Sequence, residues 1–181
     1  MDLVLSLVGL DPESVIDYQD DPISQWFLEN NEAQALVNNT KPPSEIDASD
    51  YAAVLYPGGH GPMFDLAINI EIAAITSQIY LNGGVVGSLC HGPAGLVPVL
   101  VNGEPIVKGC KITSFSNAEE DALDLSSHMP FMLESKLKEQ GGDFSAADLW
   151  EKHVVVDKRL VTGQNPNSAA GVAEAMVDLL S

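Results

Sequence analysis

The stretch Gly83-Gly84-Val85-Val86-Gly87-Ser88-Leu89-Cys90-His91-Gly92-Pro93-Ala94 decides the fold. Its valines suit a buried strand, and Gly92-Pro93 suit a tight turn into a first helical turn. Ser88 stands two residues before Cys90 and Gly92 two after it, and both are small. That is the spacing of a nucleophile elbow, with a thiol in place of a hydroxyl. An elbow lifts the sulfur above the sheet edge and aims the amides and positive dipole end of the next helix at it, which favours thiolate. A lone cysteine after a core strand is ordinarily a packing residue. Here the small neighbours and the adjacent His91 point to a nucleophile beside its base.

Upstream, residues 52–56 read as a short buried strand running straight into Pro57-Gly58-Gly59-His60-Gly61-Pro62. Glycines there let backbone amides approach a ligand, and loops at the carboxyl ends of parallel strands are where such folds bind ligands. Residues 68–81 read as a helix ended by Asn82-Gly83-Gly84. Nearer the start, residues 1–8 read as a strand, 9–22 as an acidic loop, 23–37 as a helix with Trp26, Phe27 and Leu36 as apolar anchors, and 38–50 as a connection.

Downstream, residues 94–101 read as the elbow helix, 102–109 as a turn or small hairpin, and 111–115 as a strand. Ser116 or Asn117 caps a helix containing Glu119 and Glu120. Residues 129–140 read as an amphipathic helix stopped by Gly141-Gly142, 144–147 as a short strand, 153–162 as a hairpin, and the chain closes on a helix reaching Leu180. Strands alternating with helices predict a mostly parallel sheet covered on both faces. No repeat or linker divides the 181 residues, so a single domain over 1–181 is expected.

Composition bounds the function. The formal net charge of -18 argues against nucleic acid and against anionic membrane surfaces. Two cysteines, Cys90 and Cys110, are too few for a disulfide framework, which places the chain by default in the reducing cytoplasm. No leader pattern opens the chain, and no apolar run is long enough to span a bilayer.

A neutral thiol needs a base, and His91 can supply one; the base in turn needs an orienting carboxylate. Glu119 and Glu120 lie past the next strand on the same rim, and the residues alone favour neither over the other or over plain helix-start acids. The amides of Gly59 and His91 can donate to a developing oxyanion, with His60 at the border of the same pocket. His128 and His153 have no motif around them. No His/Cys/Asp/Glu set has metal-ligand spacing, no phosphate loop appears, and the glycine runs do not match a dinucleotide fingerprint; no metal and no cofactor are expected.

The segments Tyr56-Pro57-Gly58-Gly59-His60-Gly61, residues 83–94, Ile112-Thr113-Ser114-Phe115-Ser116-Asn117-Ala118-Glu119-Glu120 and Leu160-Val161-Thr162-Gly163-Gln164-Asn165-Pro166-Asn167-Ser168 resemble, in that order, the ThiJ/PfpI superfamily, nearest its heat-shock glyoxalase III branch. The resemblance covers nearly the whole chain. It implies a flavodoxin-like three-layer α/β/α sandwich of the class I glutamine amidotransferase type. It makes Cys90 the nucleophile, His91 its histidine and Glu120 the acidic third member, with Gly58, Gly59, His60 and Gly92 around the substrate and its oxyanion. The C-terminal His-x-Glu pair of true amidotransferases is missing, which counts against glutamine hydrolysis. Against the family pattern Met1 falls in the second strand, so the chain reads as shortened by one strand and helix. The glutamate that this helix brings to the sulfur has no counterpart here, and lower stability and activity are expected.

The resemblance implies a cofactor-independent glyoxalase III, or D-lactate dehydratase, that turns methylglyoxal, a small 2-oxoaldehyde, into lactate. It allows a homodimer. The alternatives are a stress-response chaperone or redox sensor using Cys90, an inactive shortened homologue, and, from the elbow alone, a cysteine peptidase or amidase.

Overall fold

The computed structural model describes residues 20–181, so the strand expected over 1–8 and most of the acidic loop lie outside the described residues. The described residues fall into two units, 20–46 and 47–181.

In the first unit, the single helix expected over 23–37 is two helices, α1 (Pro22–Glu29) and α2 (Asn31–Asn38). Asn30 between them is extended, and its side chain accepts from Ala33 N–H at 3.0 Å. An Asn that caps the next helix competes with continuation of the previous one. Trp26 and Leu36 remain exposed rather than anchoring a core.

The second unit is built on a four-stranded sheet. Its strands are β1 (Ala53–Tyr56), β2 (Val85–Leu89), β7 (Val154–Asp157) and β8 (Leu160–Gly163), in the order β1-β2-β8-β7. β1 and β8 run parallel to β2, and β7 is antiparallel to β8 as the last arm of a hairpin. Side chains alternate across the sheet. Val85 and Val161 face α6 (Ala169–Leu180) and pack on Val172 and Met176. Val86, Leu160 and Tyr56 face the larger core, with Ala73 of α3 (Ile70–Leu81), Leu96, Ile112 and Leu137. Helices on both faces of a mainly parallel sheet make the three-layer α/β/α sandwich. Gly87 permits the close approach of α6, because a β-carbon there would sit 2.1 Å from the Met176 sulfur.

Four expected elements differ, among them the strand expected over 144–147, which is Asp143–Phe144. The elbow opens not into an α-helix over 94–101 but into a buried 3-10 turn, Gly92–Leu96. Pro98 cannot continue a helix, and Leu100–Val101 instead forms β3, paired antiparallel with β4 (Glu104–Pro105). Asn102 and Gly103 between them both have positive φ, as a tight primed hairpin turn requires. The strand over 111–115 shrinks to β5 (Lys111–Ile112), parallel to β6 (Asp143–Phe144). Beyond Ile112 side chains and loops take over the backbone bonds: Thr113 N–H donates to Thr162 Oγ1 and Phe115 N–H to Cys90 O. α4 (Asn117–Ala122) follows, then α5 (Leu133–Glu139), shorter than the expected 129–140.

Among the described residues, no helix is long and apolar enough to cross a membrane.

Candidate active site

The site forms where β1, β2 and β5 end along one rim. Cys90 follows β2 with φ 57°, a left-handed conformation rare for a residue with a β-carbon. Its N–H donates to Gly163 O and its carbonyl accepts from Phe115 N–H, both at 2.9 Å. The backbone on either side therefore holds the strain in place. Two glycines let the elbow close. A β-carbon on Gly92 would stand 2.1 Å from Tyr56 O, and one on Gly58 would stand 2.6 Å from the Cys90 β-carbon and 3.2 Å from its sulfur.

The sulfur faces His91 Nδ1 at 3.4 Å. His91 Nε2 lies 2.6 Å from Glu120 Oε2. The carboxylate accepts, so Nε2 carries the proton and Nδ1 presents its lone pair to the thiol. Burial pushes His91 down, against the opposing pull of Glu120, so the ring is neutral and able to accept a proton. Phe115 lies against the imidazole, ring centroids 4.4 Å apart, and Trp150 extends that aromatic wall at 5.7 Å from Phe115.

Burial pushes the Cys90 thiol up to about 11, and Glu119 and Glu120 add to the rise, while the N–H groups of Gly59 and His91 pull it back. The expected resting thiolate is thus not met. The 3-10 turn behind Cys90 spans five residues and offers little dipole, and desolvation outweighs the two amides. Cys90 is held as a thiol at rest, with His91 Nδ1 facing its sulfur.

Glu119 and Glu120 are adjacent but divide their work. Ser116 caps α4 by accepting from Glu119 N–H, and the Glu119 carboxylate accepts in return from Ser116 N–H and Oγ, completing a capping box. Its other oxygen accepts from Trp150 N–H and Asn165 Nδ2. Burial raises this carboxyl, but bonds from Ser116, Asn165 and Gln164 together outweigh that and hold it below the ordinary carboxylate range. Glu120 alone turns to the imidazole.

Of the remaining expected site residues, Gly59 presents its N–H to the sulfur, Gly58 and Gly92 serve as close-packing points, and His60 turns to Glu120 Oε1 at 3.0 Å. Its ring stands 4.1 Å from that of His91. No sequence spacing marks a metal-ligand set, but the fold gathers one candidate cluster. His60, His91 and Glu120 offer three ligand atoms within 4.8 Å of one another, from positions too far apart in the chain to form a motif. Phe115 and Trp150 were not foreseen as site residues; Phe115 stands inside a motif that was, whereas nothing local marks Trp150. His128 and His153 bond to Ser127 and Ser145.

The DJ-1/PfpI family matches residues 30–179. Glyoxalase 3 of Candida albicans is 33% identical over 159 residues, which make up 82% of this chain and 66% of that protein. Glutathione-independent glyoxalase HSP31 of Saccharomyces cerevisiae is 36% identical over 148 residues, 77% of this chain and 62% of its own. The chain therefore spans slightly less than two thirds of the length of these curated relatives. The crystal structure of glyoxalase III from Candida albicans superposes with a TM-score of 0.84 at 31% identity, covering 94% of this chain and 75% of that one. Sequence match and superposed fold agree: the chain belongs to the DJ-1/PfpI family.

Proposed function

We propose that this chain is a glutathione-independent glyoxalase, with Cys90 as nucleophile, His91 as the proton-moving base and Glu120 as its orienting carboxylate. The observation that carries this reading is the line from Sγ through Nδ1 and Nε2 to Glu120 Oε2. The names of the relatives supply the substrate class, and methylglyoxal is the 2-oxoaldehyde assigned.

The chemistry balances without a cofactor. The Cys90 sulfur adds to the aldehyde carbon and its proton passes through Nδ1 to the carbonyl oxygen, giving a hemithioacetal. The N–H groups of Gly59 and His91, already turned to the sulfur, stabilise charge developing beside it. Nδ1 then removes the proton on the former aldehyde carbon and returns one to the neighbouring carbon, while the hydroxyl proton of the hemithioacetal passes to the neighbouring ketone oxygen. The first carbon is thereby oxidised and the second reduced, leaving a lactoyl thioester. Water cleaves it, releasing lactate and the thiol. The protein's own thiol replaces glutathione. Neutral His91 with Nδ1 free is the form this sequence needs, and Glu120 holds it there.

The test is consumption of methylglyoxal by purified chain with and without added glutathione. The same rate is expected in both, and near-complete loss in Cys90→Ala and in His91→Ala. A rate that depends on glutathione contradicts the proposal.

A further inference from the structure

Glu120 does more than orient one histidine. Its two oxygens meet two Nε2 atoms from different loops, His91 at 2.6 Å and His60 at 3.0 Å. The three residues come from the loop after β1, the elbow after β2 and the helix after β5. Each is placed by a separate element, and together they form a preformed cluster. Glu120 and His91 are buried, while the His60 side chain is 35% exposed and is the solvent-facing member of the cluster.

We propose that His60 Nε2, His91 Nε2 and the Glu120 carboxylate form a binding site for a divalent transition-metal ion of the zinc type. Two imidazoles and one carboxylate with an open fourth position suit such ions, whereas calcium and magnesium prefer all-oxygen shells. Zinc–ligand bonds of about 2.0–2.2 Å set tetrahedral ligand atoms roughly 3.3–3.5 Å apart. The present pairs at 2.6 and 3.0 Å need to open by less than 1 Å, and the exposed His60 can move.

Occupancy has a consequence at Cys90. The metal takes the Nε2 lone pair of His91, and the single proton of the ring passes by way of solvent from Nε2 to Nδ1, so the ring stays neutral. That nitrogen faces Sγ at 3.4 Å and can no longer accept the thiol proton. The ion therefore holds the site off. This inhibitory part rests on the glyoxalase reading; the binding itself does not.

The binding experiment is calorimetry of Zn2+ against the whole chain, with Mg2+ and Ca2+ as controls. One equivalent of Zn2+ is expected, with no Mg2+ or Ca2+ binding at the same concentrations. His60→Ala and Glu120→Gln should each weaken Zn2+ at least tenfold. Cys90→Ala, His128→Ala and His153→Ala should bind as the parent does, because none of these residues is a ligand. Circular dichroism of each variant establishes that it is folded, and His60→Gln, on an exposed loop, serves as the second variant at that position. Unchanged affinity in folded His60→Ala and His60→Gln, loss in Cys90→Ala, or no Zn2+ binding by the parent overturns the site. The inhibitory part predicts that Zn2+ stops methylglyoxal turnover over the concentration range in which it binds, and that a chelator restores it. Binding without inhibition overturns that part alone. Binding by a chain that never forms lactate upholds the site and removes the glyoxalase reading instead.

Discussion

Glu119 and Glu120 sit side by side on the first turn of α4, yet only Glu120 touches His91; Glu119 turns into Ser116, Trp150 and Asn165. Their neutral variants should therefore separate activity from stability. Glu120→Gln should lower turnover by roughly 10²–10⁴, the range for a lost acid–base function, with little change in unfolding. Glu119→Gln puts an amide donor against donors that now point at a carboxylate, and should cost about 1–3 kcal/mol of unfolding free energy. Urea unfolding and methylglyoxal kinetics on both variants read this, and reversed effects would exchange the two roles.

The two cysteines should label in a fixed order. The Cys90 thiol faces an imidazole nitrogen able to take its proton, whereas Cys110 S–H faces only the Ile106 and Lys108 carbonyls. With limiting iodoacetamide, mass spectrometry should find Cys90 modified first, and His91→Ala should slow that step. Preferential labelling of Cys110 would contradict the arrangement.

Close packing at the elbow predicts graded effects for three alanine substitutions. Gly92→Ala drives a methyl into Tyr56 O and should destabilise the fold by about 1–3 kcal/mol or more. Gly58→Ala presses on the Cys90 side chain and should reduce turnover more than stability. Gly61→Ala meets open space and should be neutral in both. Thermal unfolding and initial rates distinguish the three, and a tolerated Gly92→Ala would be inconsistent with the packing.

Tyr56 should mark the alkaline limit of stability. Burial pushes its phenol up to about 12 from 10.0, with Thr76 opposing through a hydrogen bond. A folded-state value above the unfolded one means that the folded chain holds this proton more tightly. The contribution is complete below pH 10 and is lost as pH rises towards about 12. Over that window Tyr56→Phe should lose about 2 kcal/mol less than the parent. Equal slopes of unfolding free energy against pH would count against a buried phenol.

The parts of this architecture legible in the sequence were local. Ser88, Cys90, His91 and Gly92 announce an elbow because its geometry demands small neighbours within two residues of the nucleophile. The choice of Glu120 over Glu119 came only through the family resemblance, since both acids suit a helix start. Helix breaks were missed where a side chain competed with the backbone, as at Asn30, or where Pro98 ended a run whose hydrophobicity continued. His60 meeting Glu120 and Glu119 meeting Trp150 are pairings 60 and 31 residues apart. Such long-range meetings depend on how loops descend onto the rim, which no spacing rule contains.

The most direct measurement is the yield of lactate per methylglyoxal consumed, in glutathione-free, chelator-treated buffer with substrate in large excess over protein. One lactate is expected for each methylglyoxal lost, over many turnovers per chain, and none from Cys90→Ala. Consumption that stops at a few equivalents per chain without lactate, or equal lactate from Cys90→Ala, would contradict it.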